Sequence, residues 1–448
     1  MKDYFIEKLL IKEVRDIKNL EIELDKEKRK HLIITGKNGC GKTSTLLEIN
    51  NLLNKLINNG FGTIESHQKN IKVYQDALSN SANTIKLYKD DILREQKKYN
   101  LANQNPKKIQ IENNIKSYNA NITNETKNIA KYKNEIENLK QKIENFSKVD
   151  LTFSNQNEIY TDIVNRKFIL AYFAAKRENK PRVTTAIQNI NLTPNYNTDT
   201  SNLHTRFIEY MVKLRADMLD AKEEGETLEV DRIKSWFENF EKSLRELFGA
   251  EDLILKYYRG ELNFKIEYDD KSFGLNELSD GYSSLLAILT ELILRMEAHA
   301  VKAYDMQGVV LIDEIETHLH VELQKKILPF LVSFFPKVQF IVTTHSPFVL
   351  SSLSNAVICD LEKKFVTRDL SAYSYDALIE SYFNSDKYSK EVKEKIGRFE
   401  ELSLKESLDD NEKDEYMEFK RYFKSLPTFM ADELKVKIQQ ILLNNFMK

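Results

Sequence analysis

The stretch from Leu32 to Ser44 constrains this chain more than any other part of its sequence. Three apolar residues that read as a strand, Leu32–Ile34, run into the glycine-rich segment Gly36–Thr43, and helix-forming residues follow. The spacing GxxxxGK[ST] lets successive backbone N–H groups point inward, and the helix start adds its partial positive charge. Because the chain has only 12 glycines in 448 residues, an ordinary glycine-rich turn explains the spacing poorly. The stretch predicts a phosphate-binding loop for a nucleoside triphosphate.

The side chains of this loop suggest separate roles. Lys42 is placed to reach the β- and γ-phosphates, and the hydroxyl of Thr43 is a ligand that Mg²⁺ accepts. Cys40 stands at a position that the motif leaves free, so we interpret it as a filler. The predicted nucleotide contacts within the loop are those of Gly36, Lys37, Asn38, Gly39, Cys40, Gly41, Lys42, Thr43 and Ser44.

Composition limits the partners and the compartment. A net charge of −2 gives no global basic footprint, so any contact with nucleic acid must rest on a local patch. Two cysteines, Cys40 and Cys359, exclude a disulfide framework and a four-cysteine zinc site. The N-terminus has no signal-like apolar core, and the longest apolar run, 168–175, is far shorter than the ~20 residues that span a bilayer. We expect a cytoplasmic protein without membrane contact.

A glycine-free segment between residues 66 and 146 carries apolar residues every seven positions. The segment Asn100–Pro106 interrupts the pattern with turn-forming residues, so the pattern predicts an antiparallel coiled-coil hairpin. Each arm would be about 35–40 residues and about 50–60 Å long. Between Glu65 and Lys148 there are 16 Lys and Arg against 10 Asp and Glu, which fits a solvated face or an arm that binds nucleic acid or a protein. The heptad positions are Ile71, Leu78, Ile85, Ile92 and Tyr99 on one arm, and Ile115, Ile122, Ile129, Ile136 and Ile143 on the other.

An acid pair follows a second apolar strand. Val309–Ile312 predicts a buried strand that delivers Asp313 and Glu314 at its carboxyl end. Asp313 would hold Mg²⁺ through water, and Glu314 would act as the general base toward the attacking water. Such a strand end is a weak signal alone, and it gains weight downstream of a phosphate loop.

A helix start at Leu278–Gly281 reads as a second anion site, with the Ser279 hydroxyl and the Gly281 N–H as donors. A simple N-cap by Ser279 or Asp280 explains the same residues equally well. Two anion-binding helix starts in one chain suggest that one of them serves a nucleotide held by another subunit.

His345 follows a third apolar strand, Val338–Thr343. An isolated histidine in a core is usually satisfied and inert. Here the strand is expected to lie beside the one that carries Asp313 and Glu314, so we predict that His345 senses the γ-phosphate.

These four segments together resemble the ATP-binding-cassette (ABC) ATPase family over residues 1–60 and 150–350, in the family's order. In that family two heads sandwich two ATP molecules head to tail. The resemblance implies ATP and Mg²⁺ as ligands, with Ser279 and Gly281 contacting the γ-phosphate on the partner head's phosphate loop. Glu316–Leu319 would match the loop that joins the two sites.

The string LSDGYSSLLA…LIDEIETHLH…FIVTTHSPF is similar to the bacterial branch that includes OLD-type ATPases and the ATPase subunits of the PARIS and Septu anti-phage systems. Two positions depart from the patterns: Tyr282 stands where transporters carry glutamine, and Val321 where this branch usually carries proline. Both departures concern the subtype. The glutamine of the family's Q-loop has no certain match, and Gln188 is the candidate.

Three alternatives remain within this branch. OLD-type enzymes carry a nuclease after the ATPase, whereas 351–448 has no DxD pair, so we expect no intrinsic nuclease. SMC-like repair ATPases have far longer arms, usually with a hook or hinge, and this hairpin has no CxxC at its tip. Defence ATPases resemble the layout best, with one cassette, a short coiled coil and a helical C-terminal region. A transporter ATPase fits poorly because such subunits rarely carry a coiled coil here.

The sequence therefore predicts an α/β fold: an ABC-ATPase head whose mixed sheet surrounds the phosphate-loop core, an inserted antiparallel coiled-coil hairpin and a helical C-terminal region. The predicted boundaries are 1–62 and 149–358 for the two parts of the head, 63–148 for the hairpin, and 359–448 for the helical region that makes oligomer or effector contacts.

The resemblance implies a slow ATPase with Glu314 and His345 as catalytic residues and Thr43 and Asp313 as metal ligands. It would be the sensor or scaffold subunit of an anti-phage complex, controlling a separate nuclease or toxin through ATP-dependent head dimerisation. The expected homo-oligomer is at least a dimer of heads, with a hexameric ring as the larger option, and the trigger would be DNA or a phage protein. The alternative is an SMC-like or RecF-like DNA-repair ATPase that binds DNA through its head and coiled coil.

Overall fold

A computed structural model of the protein describes residues 3–165, 167–177, 180–190, 192, 202–299, 306–368, 370, 390–405, 407–425 and 438–439. The chain divides into two compact units, Met1–Ala372 and Tyr373–Lys448. None of the helices in these described ranges has the length and apolar character that crossing a bilayer requires.

A six-stranded sheet forms the centre of the first unit. Its strand order is β12–β11–β3–β10–β9–β5, and every neighbouring pair is parallel except the edge pair of β11 and β12. The inner strands are buried along their whole length, as expected for a parallel sheet that is covered on both faces. The parallel order brings the carboxyl ends of five strands to one edge. The strands are β3 (His31–Thr35), β5 (Phe168–Phe173), β9 (Gln307–Ile312), β10 (Val338–Thr343), β11 (Ala356–Asp360) and β12 (Phe365–Arg368).

Two smaller antiparallel sheets complete the first unit. The order β2–β1–β4 joins strands from before and after the hairpin, and its inward side chains share one apolar core with the central sheet. The order β6–β7–β8 forms the other small sheet. Their strands are β1 (Ile6–Val14), β2 (Ile17–Glu23), β4 (Val149–Phe153), β6 (Ile254–Tyr258), β7 (Asn263–Tyr268) and β8 (Lys271–Gly274).

The helices of the first unit lie between these strands and around them. The first helix continues through a π-helical turn, Leu56–Gly60, into the long arm of the hairpin, and a 3₁₀ turn, Leu203–Arg206, precedes the fifth helix. The helices are α1 (Lys42–Lys55), α2 (Phe61–Leu101), α3 (Asn105–Glu144), α4 (Gln156–Val164), α5 (Phe207–Glu224), α6 (Thr227–Phe248), α7 (Asp280–Glu297), α8 (Val321–Phe334) and α9 (Pro347–Leu350).

The hairpin of α2 and α3 has the antiparallel pairing that the heptads predict. Tyr74 stacks on Tyr132, and further along the arms Tyr88 contacts Tyr118 with a centroid distance of 5.8 Å. Most of the hairpin surface is exposed, as expected for two helices that bury only one seam. The predicted fold class is thereby confirmed: a mixed α/β head with a long helical hairpin inserted in it.

The segment after α9 differs from the sequence prediction. We placed the start of the helical region at residue 359, but this boundary falls inside β11, and β11 and β12 extend the central sheet. The division between the two units comes later, after Ala372. In the second unit two helices, Lys390–Leu404 and Asp410–Ser425, pack through an apolar cluster centred on Phe399.

Candidate active site

The phosphate loop lies between the buried strand β3 and the start of α1. Three of its glycines have left-handed backbone angles, with φ of 133° at Gly36, 86° at Gly39 and 105° at Gly41. Other residues rarely adopt these angles, and a Cβ on Gly36 would lie 2.8 Å from the Cys40 Sγ atom. The glycines therefore permit the loop conformation that surrounds a phosphate with backbone N–H groups.

Lys42 lies at the mouth of the loop, where its side chain is only 6% exposed. Its Nζ donates to the carbonyl oxygens of Gly36 at 2.9 Å and Lys37 at 3.2 Å. Burial lowers the pKa of Lys42, while the thiol of Cys40 and the nearby carboxylates act in the opposite direction. The ammonium is thus placed among the loop atoms where a triphosphate would be held.

Thr43 and Asp313 meet at the carboxyl edge of the sheet. The Thr43 Oγ1 atom donates to Asp313 Oδ1 at 3.2 Å, and the same carboxylate oxygen accepts from Thr343 Oγ1 at 2.6 Å. A hydroxyl and a carboxylate oxygen beside phosphate oxygens form the hard donor set that Mg²⁺ prefers. These residues fit the cation, although no cluster of three or more acidic, histidine or cysteine ligands occurs in the described part of the chain.

Glu314 follows Asp313 with a strained backbone. Its φ is 44°, an unusual value for a residue with a side chain, and such strain persists only where neighbours impose it. The Glu314 N–H donates to Thr343 Oγ1 at 2.7 Å, and its carbonyl oxygen accepts from Arg177 Nη2 at 3.3 Å. Thr343 and Arg177 thus fix the conformation of the predicted general base.

His345 lies next to the same acids. Its backbone N–H donates to Glu316 Oε1 at 2.5 Å. The ring atom Nε2 and the second carboxylate oxygen, Glu316 Oε2, are buried with no hydrogen-bond partner among the described residues. Burial, and secondly the charge of Lys42, lowers the pKa of His345. The ring is neutral at physiological pH and keeps one nitrogen available for a ligand.

The second predicted anion site lies at the start of α7. Ser279 is the N-cap residue, is exposed, and makes no capping hydrogen bond with its side chain. Gly281 is buried against the loop after β9, because a Cβ there would lie 3.0 Å from the His318 carbonyl oxygen. The hydroxyl of Ser279 therefore faces outward, while Gly281 fixes the helix start to the loop that follows the acid pair.

The remaining sequence predictions have plainer surroundings. Lys37 and Asn38 are exposed, and Lys37 forms an ion pair with Glu362 at 2.8 Å. Cys40 is half-buried, and burial raises the pKa of its thiol. Gln188, the candidate Q-loop glutamine, is exposed in the segment 180–190.

Two residues at this site were not assigned a role from the sequence, namely Arg177 after β5 and Thr343 at the end of β10. Glu316, which the resemblance placed in the loop that joins the two sites, accepts from the backbone N–H of His345. Thr343 carries a signal in retrospect, since it is a hydroxyl residue at the end of the strand that leads to His345. No sequence pattern identifies Arg177, because its proximity to Glu314 depends on the pairing of β5 with β9.

A phosphate loop after β3, an acid pair after β9 and a histidine after β10, the strand between those two, define the P-loop class of nucleotide-binding proteins. The family described as AAA_15, AAA ATPase domain, matches residues 5–350. This match covers most of the chain, and the protein belongs to that family.

Two curated relatives resemble parts of the chain. The Septu protein PtuA of Bacillus mycoides (strain KBAB4) is 33% identical over 158 residues, and the match covers 33% of this chain and 22% of the relative. The Retron Ec83 probable ATPase of Escherichia coli is 31% identical over 171 residues, and the match covers 32% of each chain. The matched stretches thus span about a fifth to a third of the length of these relatives.

Among solved structures, a similar one is the Smc head domain with an extended coiled coil, bound to the C-terminal domain of ScpA, from Pyrococcus furiosus. The match is 10% identical and covers 81% of this chain and 95% of that chain, with a TM-score of 0.30. At this level the likeness adds nothing to the fold described above.

Proposed function

We propose that this protein binds ATP with Mg²⁺ and hydrolyses it slowly. The observation that carries the proposal is the meeting of the phosphate loop, Asp313, Glu314 and His345 at one sheet edge, where several buried polar atoms have no partner among the described residues. A buried N or O atom without a hydrogen bond is costly, so such atoms concentrated at one place are expected to have a ligand.

The residues divide the chemistry between them. Lys42 and the loop N–H groups hold the β- and γ-phosphates, and Glu314 orients the attacking water and accepts its proton. His345 donates a hydrogen bond to a γ-phosphate oxygen through Nε2, which has no partner among the described residues. Thr43 and Asp313 would hold Mg²⁺, which neutralises phosphate charge when bound.

We further propose that two heads close around two nucleotides, each completing the other's site with Ser279. The outward-facing hydroxyl at the start of a long helix supports this arrangement. Closure would then decide whether a separate effector, such as a nuclease or toxin, is held or released. This part is supported by the similarity to Septu and retron proteins.

Glu314→Gln is the direct test of hydrolysis. The variant keeps the shape of the side chain but removes the base, so turnover should fall about 10³-fold while ATP affinity is retained. Phosphate release and ATP binding are measured on the full chain, with size-exclusion chromatography and light scattering to detect ATP-dependent dimers. Full residual turnover in the variant contradicts the assignment of Glu314.

The partner class needs a second experiment. The protein is purified from its native host under gentle conditions, and co-eluting components are identified. A nuclease or toxin in stoichiometric amount supports the defence proposal. DNA alone, bound with a steep salt dependence, favours the DNA-repair alternative, for which the excess of basic residues on the hairpin is the specific observation.

A further inference from the structure

Arg177 lies at the same sheet edge as the acid pair. It follows β5 by four residues, and β5 is the parallel neighbour of β9. The Asp313 N–H donates to the Phe173 carbonyl oxygen at 2.8 Å, so the end of β5 is joined directly to the acid pair. This pairing places a cation from a distant part of the sequence beside Asp313 and Glu314.

The guanidinium of Arg177 uses only part of its hydrogen-bonding capacity. Nη2 donates to the Glu314 carbonyl oxygen at 3.3 Å, whereas Nε and Nη1 are buried with no partner in the described structure. Burial lowers the pKa of Arg177 to about 10, with Asp313, Glu316 and Glu314 opposing the shift, so the group is charged at physiological pH. A buried cation with two nitrogens that donate to no described residue is stable only beside an acceptor that it can reach.

The nearby protein acceptors do not account for this geometry. Arg177 forms no ion pair of 4 Å or less in the described residues, although three carboxylates lie near enough to influence its pKa. A planar guanidinium matches two oxygens of a phosphate group with two parallel hydrogen bonds. The other anion-binding groups of the site, Lys42 and the phosphate loop, lie within reach of the same acids.

We infer that Arg177 binds the γ-phosphate of the ATP held by its own chain and stabilises the charge that develops on it during transfer. This inference rests on the proposed ATP site and adds a catalytic residue to it. The γ-phosphate oxygens accept from Nη1 and from the second N–H of Nη2, while the other N–H of Nη2 stays on the Glu314 carbonyl oxygen. Arg177 thereby couples the γ-phosphate to the position of the general base.

Nucleotide affinities separate this role from a structural one. In the Glu314→Gln background, where hydrolysis is suppressed, Arg177→Ala should weaken ATP binding about 10- to 100-fold and leave ADP binding almost unchanged. The matched control is Lys176→Ala, which removes an exposed positive charge next to Arg177 and should alter neither affinity. Both affinities are measured by titration calorimetry with Mg²⁺. An unchanged ATP affinity, or an equal loss of ATP and ADP affinity, overturns the inference.

Turnover gives an independent readout. With Glu314 intact, Arg177→Ala should hydrolyse ATP about 10³-fold more slowly, as expected for an arginine that stabilises the transferring phosphoryl group. Millimolar guanidinium should restore part of this loss in Arg177→Ala and none in Glu314→Gln. If the unsubstituted protein binds ATP but does not hydrolyse it, the proposed hydrolysis fails, while the ratio of ATP to ADP affinity still tests Arg177.

Discussion

The phosphate-loop end of the candidate site is built differently from the helix start at Leu278–Gly281, called the signature end below, where the signature helix α7 begins. At the phosphate-loop end, one carboxylate oxygen of Asp313 accepts hydrogen bonds from both Thr43 and Thr343, so three elements are joined at one atom. At the signature end, Ser279 is exposed and its hydroxyl caps nothing in its own helix.

This difference indicates what each end needs from outside. The phosphate-loop end has its predicted nucleotide ligands, metal ligands and general base within a single chain. The signature end offers a helix start and a hydroxyl to the exterior, and a second copy of the chain is the partner that symmetry makes available. The predictions below separate functions that one chain supplies alone from those that need two.

The largest effect is expected when the signature end is disrupted in one chain and the phosphate-loop end in another. Ser279→Arg and Lys42→Ala should each reduce turnover about 10³-fold, the first by removing the hydroxyl that completes the partner's site and the second by removing a phosphate ligand. Because a mixed dimer would have one intact site, an equal mixture should recover about a quarter of the normal turnover.

Phosphate release by the separate variants and by their mixture measures this recovery. The double variant mixed in equal amount with unsubstituted protein is the control. Both sites of its mixed dimer are broken, so turnover should fall from a half to about a quarter of the normal value, all of it from unsubstituted dimers. Absence of recovery, in a mixture shown to form mixed dimers, would show that Ser279 does not serve the site of another chain.

His345 tests the chemistry within one chain. His345→Gln should reduce turnover about 10²-fold. Because burial lowers its pKa below the usual 6.5, the neutral ring should persist below that pH, and the step in kcat assigned to it should appear only on further acidification. A pH profile of kcat for both proteins checks this, and the step should be missing from the glutamine variant. If kcat depends on pH in the same way in both proteins, His345 is not a catalytic group.

Gly281→Ala tests the contact between the signature helix and the loop after β9. The added Cβ would lie 3.0 Å from the His318 carbonyl oxygen, so the helix start must move by a few tenths of an ångström. We expect turnover to fall about 10-fold, with ATP binding by the monomer unchanged, since a 1 Å misplacement costs about 10²-fold. Gly260→Ala, at a position with free space around it, is the matched control.

The smallest effect is expected at Lys37. Its side chain is 78% exposed and pairs with Glu362, so the pair contributes little. Lys37→Ala should change ATP affinity less than about 5-fold, whereas Lys42→Ala should reduce it by about 10² or more. Titration of both variants with ATP shows whether the loop needs the Lys37 side chain to bind nucleotide. A large loss at Lys37 would show that its side chain contacts the nucleotide.

The elements that local sequence patterns encode were predictable. The phosphate loop follows from the spacing of its glycines and Lys42, and the hairpin from heptads that repeat over both arms. Each pattern specifies its structure through neighbours within a few turns of chain, so no knowledge of the rest of the fold was needed.

The missed residues depend on pairings between distant segments. Arg177 reaches Glu314 only because β5 lies beside β9, and the sequence does not specify that neighbour. The strand β11 was missed for the same reason, since it pairs in parallel with β3, more than 300 residues earlier. A short apolar run before a charged turn, such as Ala356–Asp360, has no local pattern that distinguishes it from a helix start.

The continuous helix that begins at the phosphate loop has a mechanical consequence. The helix α1 passes through the π-helical turn into α2, and Lys55 Nζ donates to the Phe146 carbonyl oxygen at 2.7 Å, which ties the returning arm to the same helix. The arm of 41 residues is about 60 Å long. A tilt of about 5° at the base of this arm would therefore move its far end by about 5 Å. A small rotation of the helix that begins at the nucleotide pocket would thus become a larger displacement at the tip of the hairpin.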